Sequence, residues 1–233
     1  MNENFIKINQ LIDLETCTYT YIVYDSNTRK AIIIDPVYSQ IERDLDIIKK
    51  LNLELFYIFE THVHADHITS ASKIKNLTKA KICYGSDTGV IGSDIMLKDG
   101  DKIELDNFTV TTIHTPGHTN GCVSYYIRGY IFTGDALFIE GTGRTDFQGG
   151  SSETIYNSVR DKIFNLPDET VIYPGHNYKG LLSSTIKHER KYNPNVGDKV
   201  SIDEFVANKS KKNRPYPKKF DIAVPANMKC GDI

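Results

Sequence analysis

The segment THVHADHITS, residues 61–70, crowds His62, His64, Asp66 and His67 together directly after the apolar run LFYIF. Imidazole and carboxylate at this density are the donor types that hold zinc, iron or manganese. On an extended segment, residues two apart point the same way, so His62 and His64 are expected to face one cavity. Asp66 and His67 are expected one turn later, where a helix begins, pointing in from a second side. Further along the chain stand His118 in TPGH, Asp135 in TGD and His176 in YPGH. Each of the four sites follows a predicted buried strand: FYIFE before Thr61-His62, TTIHTPG before His118, YIFTG before Asp135 and VIYPG before His176. Gly117, Gly134 and Gly175 immediately precede their ligands, and glycine permits the tight or left-handed turn that swings a side chain over a sheet edge. If those strands are neighbours, the set converges on one rim and suffices for one or two metal ions. A single histidine is usually a surface or core residue; the ordered series HxHxDH, TPGH, TGD and YPGH is what points to metal binding. His114 and His188 lie away from the predicted rim and read as structural or surface residues. Asp35, after the buried strand in IIIDP, suits a supporting role at the site and a turn-capping role equally.

The elements that must position these residues follow from periodicity. CTYTYIVYD alternates and is rich in β-formers, SNTR supplies a turn, and KAIIIDPV is a second, more buried strand, so the pair reads as a hairpin. SQIERDLDIIKKLN carries Ile41, Leu45, Ile48 and Leu51 at helical spacing. LELFYIFET is a buried strand, HITSASKIKNLTKA a helix and KICYG a short strand. Beyond KDGDKIELDNFTVTTIHTPGH the pattern is strand-rich, with CVSYYI and GYIFTGD joined at Arg128-Gly129. SETIYNSVRDKIFNLP reads as a helix capped by Ser151 or Ser152, and TVIYPGH as a late buried strand. The remainder reads as one helix and a polar, lysine-rich tail. This order suggests two similar halves, with sheets inside and helices outside.

Composition limits the partners. The chain has 233 residues and a net charge of −2, so no global field draws it to nucleic acid or a membrane. The stretch KSKKNRPYPKK is strongly basic, but it lacks a stacking platform and reads as a solvated tail. No apolar run approaches the ~20 residues of a membrane span. The N-terminus lacks the features of a signal peptide, so cytoplasmic residence is expected. The four cysteines are scattered without a CxxC pair, which argues against a disulfide framework or zinc knot.

HxHxDH followed by a PGH motif, an aspartate and a final histidine resembles the metallo-β-lactamase superfamily over roughly residues 13–190. That resemblance implies an α+β fold, a four-layer αββα sandwich with the metal site at one edge. A single domain over 1–233 is expected, with 191–233 a C-terminal tail packed on it and no rhodanese domain. The stretches THVHADHITSA, HTPGHTNGCVSYY, FTGDALFIEGTGRTDFQGGS, YPGHNYKG and PYPKKFDIAVPANMKCG look like the persulfide dioxygenase (sulfur dioxygenase) family. GRTDFQGG is the most telling, because glyoxalase II usually has a different, aromatic segment there and a longer helical C-terminus.

The family resemblance implies one Fe(II) per chain, held by His62, His118 and Asp135. His64, Asp66, His67 and His176 then surround the site or form a second metal position. The implied substrates are a low-molecular-weight persulfide, glutathione persulfide foremost, and O2, with sulfite and free thiol as products. Homodimerisation is also implied. Arg144 and Asp146 are candidates for holding the substrate's polar groups, with an internal ion pair as an equal alternative. Tyr178 is a candidate hydrogen-bond donor to substrate, and Thr133 and Gly134 are expected to shape the turn under Asp135. The main rival is a dinuclear zinc hydrolase of glyoxalase II type acting on S-lactoylglutathione; a nuclease and a non-catalytic metal- or sulfur-binding protein are the others.

Overall fold

The computed structural model describes residues 5–211 and 215–233. Within them the first sheet takes β1 (Ile6–Asp13), β2 (Thr18–Asp25), β3 (Lys30–Ile34), β4 (Glu54–Phe59), β5 (Lys81–Gly85) and β6 (Ile95–Leu97), in sequence order. The second takes β7 (Lys102–Leu105), β8 (Phe108–His114), β9 (Val123–Ile127), β10 (Tyr130–Gly134), β11 (Val171–Pro174) and β12 (Ser184–Thr185), again in order. The helices are α1 (Ile41–Lys50), α2 (Ala71–Thr78), α3 (Ser152–Asn157), α4 (Ile186–Tyr192), α5 (Ile202–Ser210) and α6 (Phe220–Asn227). A π-helical stretch, Ser158–Ile163, prolongs α3. The N-terminal half thus builds one sheet and the C-terminal half the other.

The central strands are apolar on both faces because each sheet is covered twice. Along β2 and β3, Tyr19, Tyr21, Val23, Ile32 and Ile34 face the second sheet. The alternate residues Ile22, Tyr24, Ala31 and Ile33 face outward, against Ile41 and Ile48 of α1 and Ala71 and Ile74 of α2. In β10, Phe132 joins the inter-sheet core while Ile131 packs outward with Ile155, Ile186 and Phe205 of α3, α4 and α5. The result is the αββα sandwich. Burying each such large side chain contributes about 1.5–3 kcal/mol. The β2–β3 hairpin and the turn at Arg128-Gly129 are as the sequence reads, the latter with positive φ at both residues.

The C-terminal segment differs from the expected single helix and tail. It holds α4, α5 and α6, with Phe205 and Asn227 buried. Short length and Pro225 inside α6 obscure its periodicity, and tertiary contact stabilises it instead. α6 returns to the first sheet's outer layer, where Val224 packs. β1, β6 and β12 are also additional to the sequence reading. No helix of the described residues is long and apolar enough to cross a membrane.

The two sheets are joined by hydrogen bonds along one rim. Tyr19 N donates to Gly175 O at 2.8 Å, and Val123 N to Thr61 O at 2.9 Å. Buried tyrosine hydroxyls need an acceptor; Tyr21 donates to Pro174 O at 2.6 Å and Tyr125 to Glu60 O at 2.7 Å. Ser151 caps α3 by accepting from Thr154 N, and α3 starts where Gly117 presses on it. A Cβ at Gly117 (φ +125°) would sit 2.2 Å from Ile155 N. Gly100 (φ +82°) has open space around it. Gly100→Ala is therefore expected to cost about 1 kcal/mol from backbone strain alone. Gly117→Ala is expected to cost at least about 2–3 kcal/mol, since overpacking adds to strain. Urea midpoints of the two variants, read at unchanged slope, check the difference.

Candidate metal centre

The ends of β4, β8, β10 and β11 converge on this rim, and His62, Asp66, His118, Asp135 and His176 line one cavity of about 390 Å³. One ligand atom each from His62, His118 and Asp135 lies within 4.8 Å of the others. The rings of His62 and His118 stand 4.9 Å apart and nearly perpendicular. Glycine before the ligand has two distinct causes here. Gly134 (φ +49°) adopts the left-handed turn and passes against Thr61, whereas Gly175 is needed for close approach: a Cβ there would lie 2.6 Å from Asp135 Oδ1. Thr133 Oγ1 donates to Leu137 O at 2.7 Å beneath Asp135 and tightens the same turn.

Hydrogen bonding sets which ring nitrogen of each histidine faces the cavity. His118 Nδ1 lies 2.7 Å from Arg144 O; a carbonyl only accepts, so Nδ1 carries the proton and Nε2 keeps its lone pair. Thr61 Oγ1 donates its one proton to Asp35 Oδ2 at 2.8 Å and lies 2.9 Å from His62 Nδ1. Thr61 must therefore accept from His62 Nδ1–H, which leaves the lone pair of His62 Nε2 free to ligate. Burial, with His64 and His118 nearby, holds His62 well below the usual imidazole pKa. Burial also lowers His118, against the pull of Asp135. Both rings are neutral near pH 7, as metal ligation requires.

Two imidazoles and a carboxyl oxygen on one side of a cavity suit a metal ion. The fit is reinforced by Asp135 Oδ1, a buried carboxylate oxygen without a hydrogen-bond partner. An orphaned buried polar atom is costly, and a cation would satisfy it. His62, His118 and Asp135 could hold a metal ion.

A family model for the metallo-beta-lactamase superfamily matches residues 13–176. The chain is 43% identical to the mitochondrial persulfide dioxygenase ETHE1 of Bos taurus, over 97% of this chain and 89% of that protein. It is 42% identical to the Homo sapiens protein of the same name at the same coverage. The crystal structure of ETHE1 from Myxococcus xanthus matches with a TM-score of 0.93 at 42% identity, covering 97% of this chain and 99% of that one. The chain belongs to the persulfide dioxygenase family of the metallo-beta-lactamase superfamily.

In this family member the HxHxDH segment is not laid out as its spacing suggests. Residues 61–70 form bends, and α2 begins only at Ala71, so Asp66 and His67 precede the helix. His62 and His64 are adjacent, with ring centroids 4.1 Å apart. His64 is nonetheless absent from the cavity wall, because its Nε2 lies 3.2 Å from both Asp35 Oδ1 and Glu60 Oε2. Burial opposes a charge on His64, but Asp35 and Glu60 outweigh it and raise its pKa well above normal. Burial in turn pushes Glu60 up to about 7, with His64 and Thr69 opposing. His67 faces the opposite side of the loop, with Nδ1 3.3 Å from Asp66 Oδ2. His64, Asp66 and His67 form a second potential metal-binding group. His176 Nε2 lies 3.5 Å from Asp135 Oδ1 and 3.7 Å from Asp66 Oδ2. Burial would keep Asp66 protonated, but His67 and His176 outweigh it and hold its carboxyl well below the usual range.

Arg144 lines the cavity but is committed within its loop. Its Nε and Nη2 donate to Asp146 at 2.7 and 2.6 Å, and its Nη1 donates to Pro215 O at 2.8 Å. The guanidinium lies 4.6 Å above the Phe147 ring. The internal ion pair is thus the arrangement adopted. Tyr178 lies on the cavity wall with its ring parallel to His176 at 6.0 Å. His114 and His188 lie away from the centre, beside Asp87 and Tyr192.

Asp35 does support the site. Glu60, the Thr61 hydroxyl, Phe138, Phe147, Pro215, Pro217 and Asn227 are additional to the sequence reading. The basic stretch is correspondingly more than a solvated tail. Pro215 and Pro217 wall the cavity and Lys209 donates to Gly143 O, while 212–214 lie outside the described residues. Glu60 and Thr61 were detectable only as polar residues interrupting a buried run before His62. Thr61→Val is expected to weaken metal affinity about 10–100-fold by freeing the His62 ring. It should also destabilise the fold by about 1–3 kcal/mol, because Asp35 Oδ2 loses its donor. Chelator competition and thermal melts measure the two effects; unchanged affinity would show that His62 is oriented by other groups.

Proposed function

We propose that this protein oxidises the outer sulfur of a low-molecular-weight persulfide with O2, at one Fe(II) held by His62, His118 and Asp135. The overall change is RSSH + O2 + H2O to RSH, sulfite and two protons. The outer sulfur loses four electrons and O2 gains them. The observation that carries this reading is the facial set of two neutral imidazoles and one carboxylate opening into a cavity, in a chain of this family. Such a face is the donor arrangement of non-haem iron oxygenases. When bound there, ferrous iron supplies redox chemistry that no protein side chain provides.

The chain's own residues have separable tasks. Asp35, through Thr61, and the Arg144 carbonyl hold the His62 and His118 rings in the ligating tautomers. Phe138, Phe147, Tyr178, Pro215 and Pro217 make an apolar wall that excludes bulk water and takes the carrier part of the persulfide. Arg144, neutralised by Asp146, stiffens that wall. Asp66 is kept ionised beside His176. The pair is placed to orient the water consumed. Glutathione is the carrier we favour, from the family relationship.

The decisive experiment measures O2 uptake and sulfite release on glutathione persulfide, alongside metal analysis of protein purified without air. One iron per chain with stoichiometric O2 and sulfite is expected. Two zinc ions per chain with thioester cleavage and no O2 uptake would replace this reading with the glyoxalase II type. His118→Ala and Asp135→Ala should lose iron and O2 uptake together. His176→Ala should slow turnover with iron retained; loss of the iron instead would make His176 a ligand.

A further inference from the structure

The backbone that carries His64 and His67 is held from the far end of the chain. Asn227, the last residue of α6, has no exposed surface. Its Nδ2 donates to His64 O and to His67 O, both at 2.8 Å, and its Oδ1 accepts from Thr69 N at 2.9 Å. Both amide protons are thereby used on the two carbonyls that bracket Asp66. The reverse orientation of the amide would face oxygen with oxygen, so only one assignment is consistent. The turn after α6 strengthens the attachment. Ser72 N donates to Cys230 O at 3.0 Å and Ile91 N to Met228 O at 2.9 Å. Gly231 (φ +73°) lies so close to the loop that a Cβ would meet Thr69 O at 2.1 Å.

We infer that Asn227 is a positioning residue of the metal centre, holding the 62–67 loop in the curvature that turns His62 and Asp66 into the cavity. Loop segments are intrinsically mobile, and residues 61–70 gain little rigidity from regular structure of their own. Gln148 Nε2 donates to Val63 O at 2.9 Å and Thr18 Oγ1 to Asp66 Oδ2 at 3.1 Å, each a single tie, whereas Asn227 spans the carbonyls on both sides of Asp66. A rigid side chain bonded to both carbonyls supplies the constraint, so the residues surrounding the ligands include one from the C-terminal turn. This inference rests on a metal held by His62, His118 and Asp135, and not on the reaction performed there.

The test follows metal release from the full-length, metal-loaded protein to an excess of chelator, at equal intervals below each variant's melting temperature. Asn227→Ala removes all three bonds. Asn227→Asp keeps the shape and the acceptor for Thr69 N but turns an oxygen toward both carbonyls. Val224→Ala loosens the same helix and removes none of the hydrogen bonds to the loop. Both Asn227 variants are expected to release metal at least tenfold faster than the parent, in the range typical of groups that orient ligands. Val224→Ala is expected to stay within about twofold of the parent by the same argument. The visible bands of cobalt(II)-loaded protein should shift in the Asn227 variants and not in Val224→Ala. Release rates and spectra of the Asn227 variants that match the Val224 control would overturn the inference. So would failure of both Asn227 variants to accumulate as folded protein, which would make the residue a determinant of folding. Persulfide oxidation is not read in any arm, so a different reaction at the centre leaves this test intact.

Discussion

A buried acid organises the centre. Asp35 follows β3 with φ +50° and is about 1% exposed. Its two oxygens receive Thr61 N, Thr61 Oγ1 and lie beside His64 Nε2. A carboxyl group in such surroundings is stable only when its oxygens are satisfied, so the end of β3 and the residues after β4 must sit in one relative position. Through Thr61 that position determines which nitrogen of His62 faces the cavity. Through His64 it draws one imidazole of the HxH pair into the protein. His62 therefore takes its orientation from a residue that does not line the cavity.

The second constraint is the joint between the sheets. Parallel strand neighbours share a C-terminal edge, and in both sheets that edge is where loops carrying function emerge. Here the edges meet, tied by Tyr19 N to Gly175 O and Val123 N to Thr61 O. His62 comes from one sheet, and His118, Asp135 and His176 come from the other. Backbone crowding at Gly117, Gly134 and Gly175 brings these segments closer than side chains would permit. The cavity is thus polar at its floor, where the sheets meet, and apolar at its walls, where Phe138, Phe147 and the prolines enter.

Donor types and the roles they take are separable in this protein. Seven residues of the motifs could ligate, yet they fall into different environments. His62, His118 and Asp135 meet across the cavity, while His64 is held by Asp35 and Glu60 and His67 faces the other side of its loop. Hydrogen-bonded neighbours decide which atoms remain available, as they do generally around metal sites.

Much of this was legible in the sequence. Continuous apolar runs such as AIII and FYIF gave the buried strands, and the polar groups directly after them marked the rim. HxHxDH, TPGH, TGD and YPGH named the donors, because ligand chemistry depends on residue type and strand ends are local features. What the linear order could not carry was orientation. The shift of α2 to Ala71, the withdrawal of His64, the closure of Arg144 onto Asp146 and the arrival of Asn227 beside His67 all arise from contacts between segments far apart in the chain. A side chain's type is local, but the hydrogen-bond partner that fixes its direction is chosen only when the two sheets and the last helix close around it.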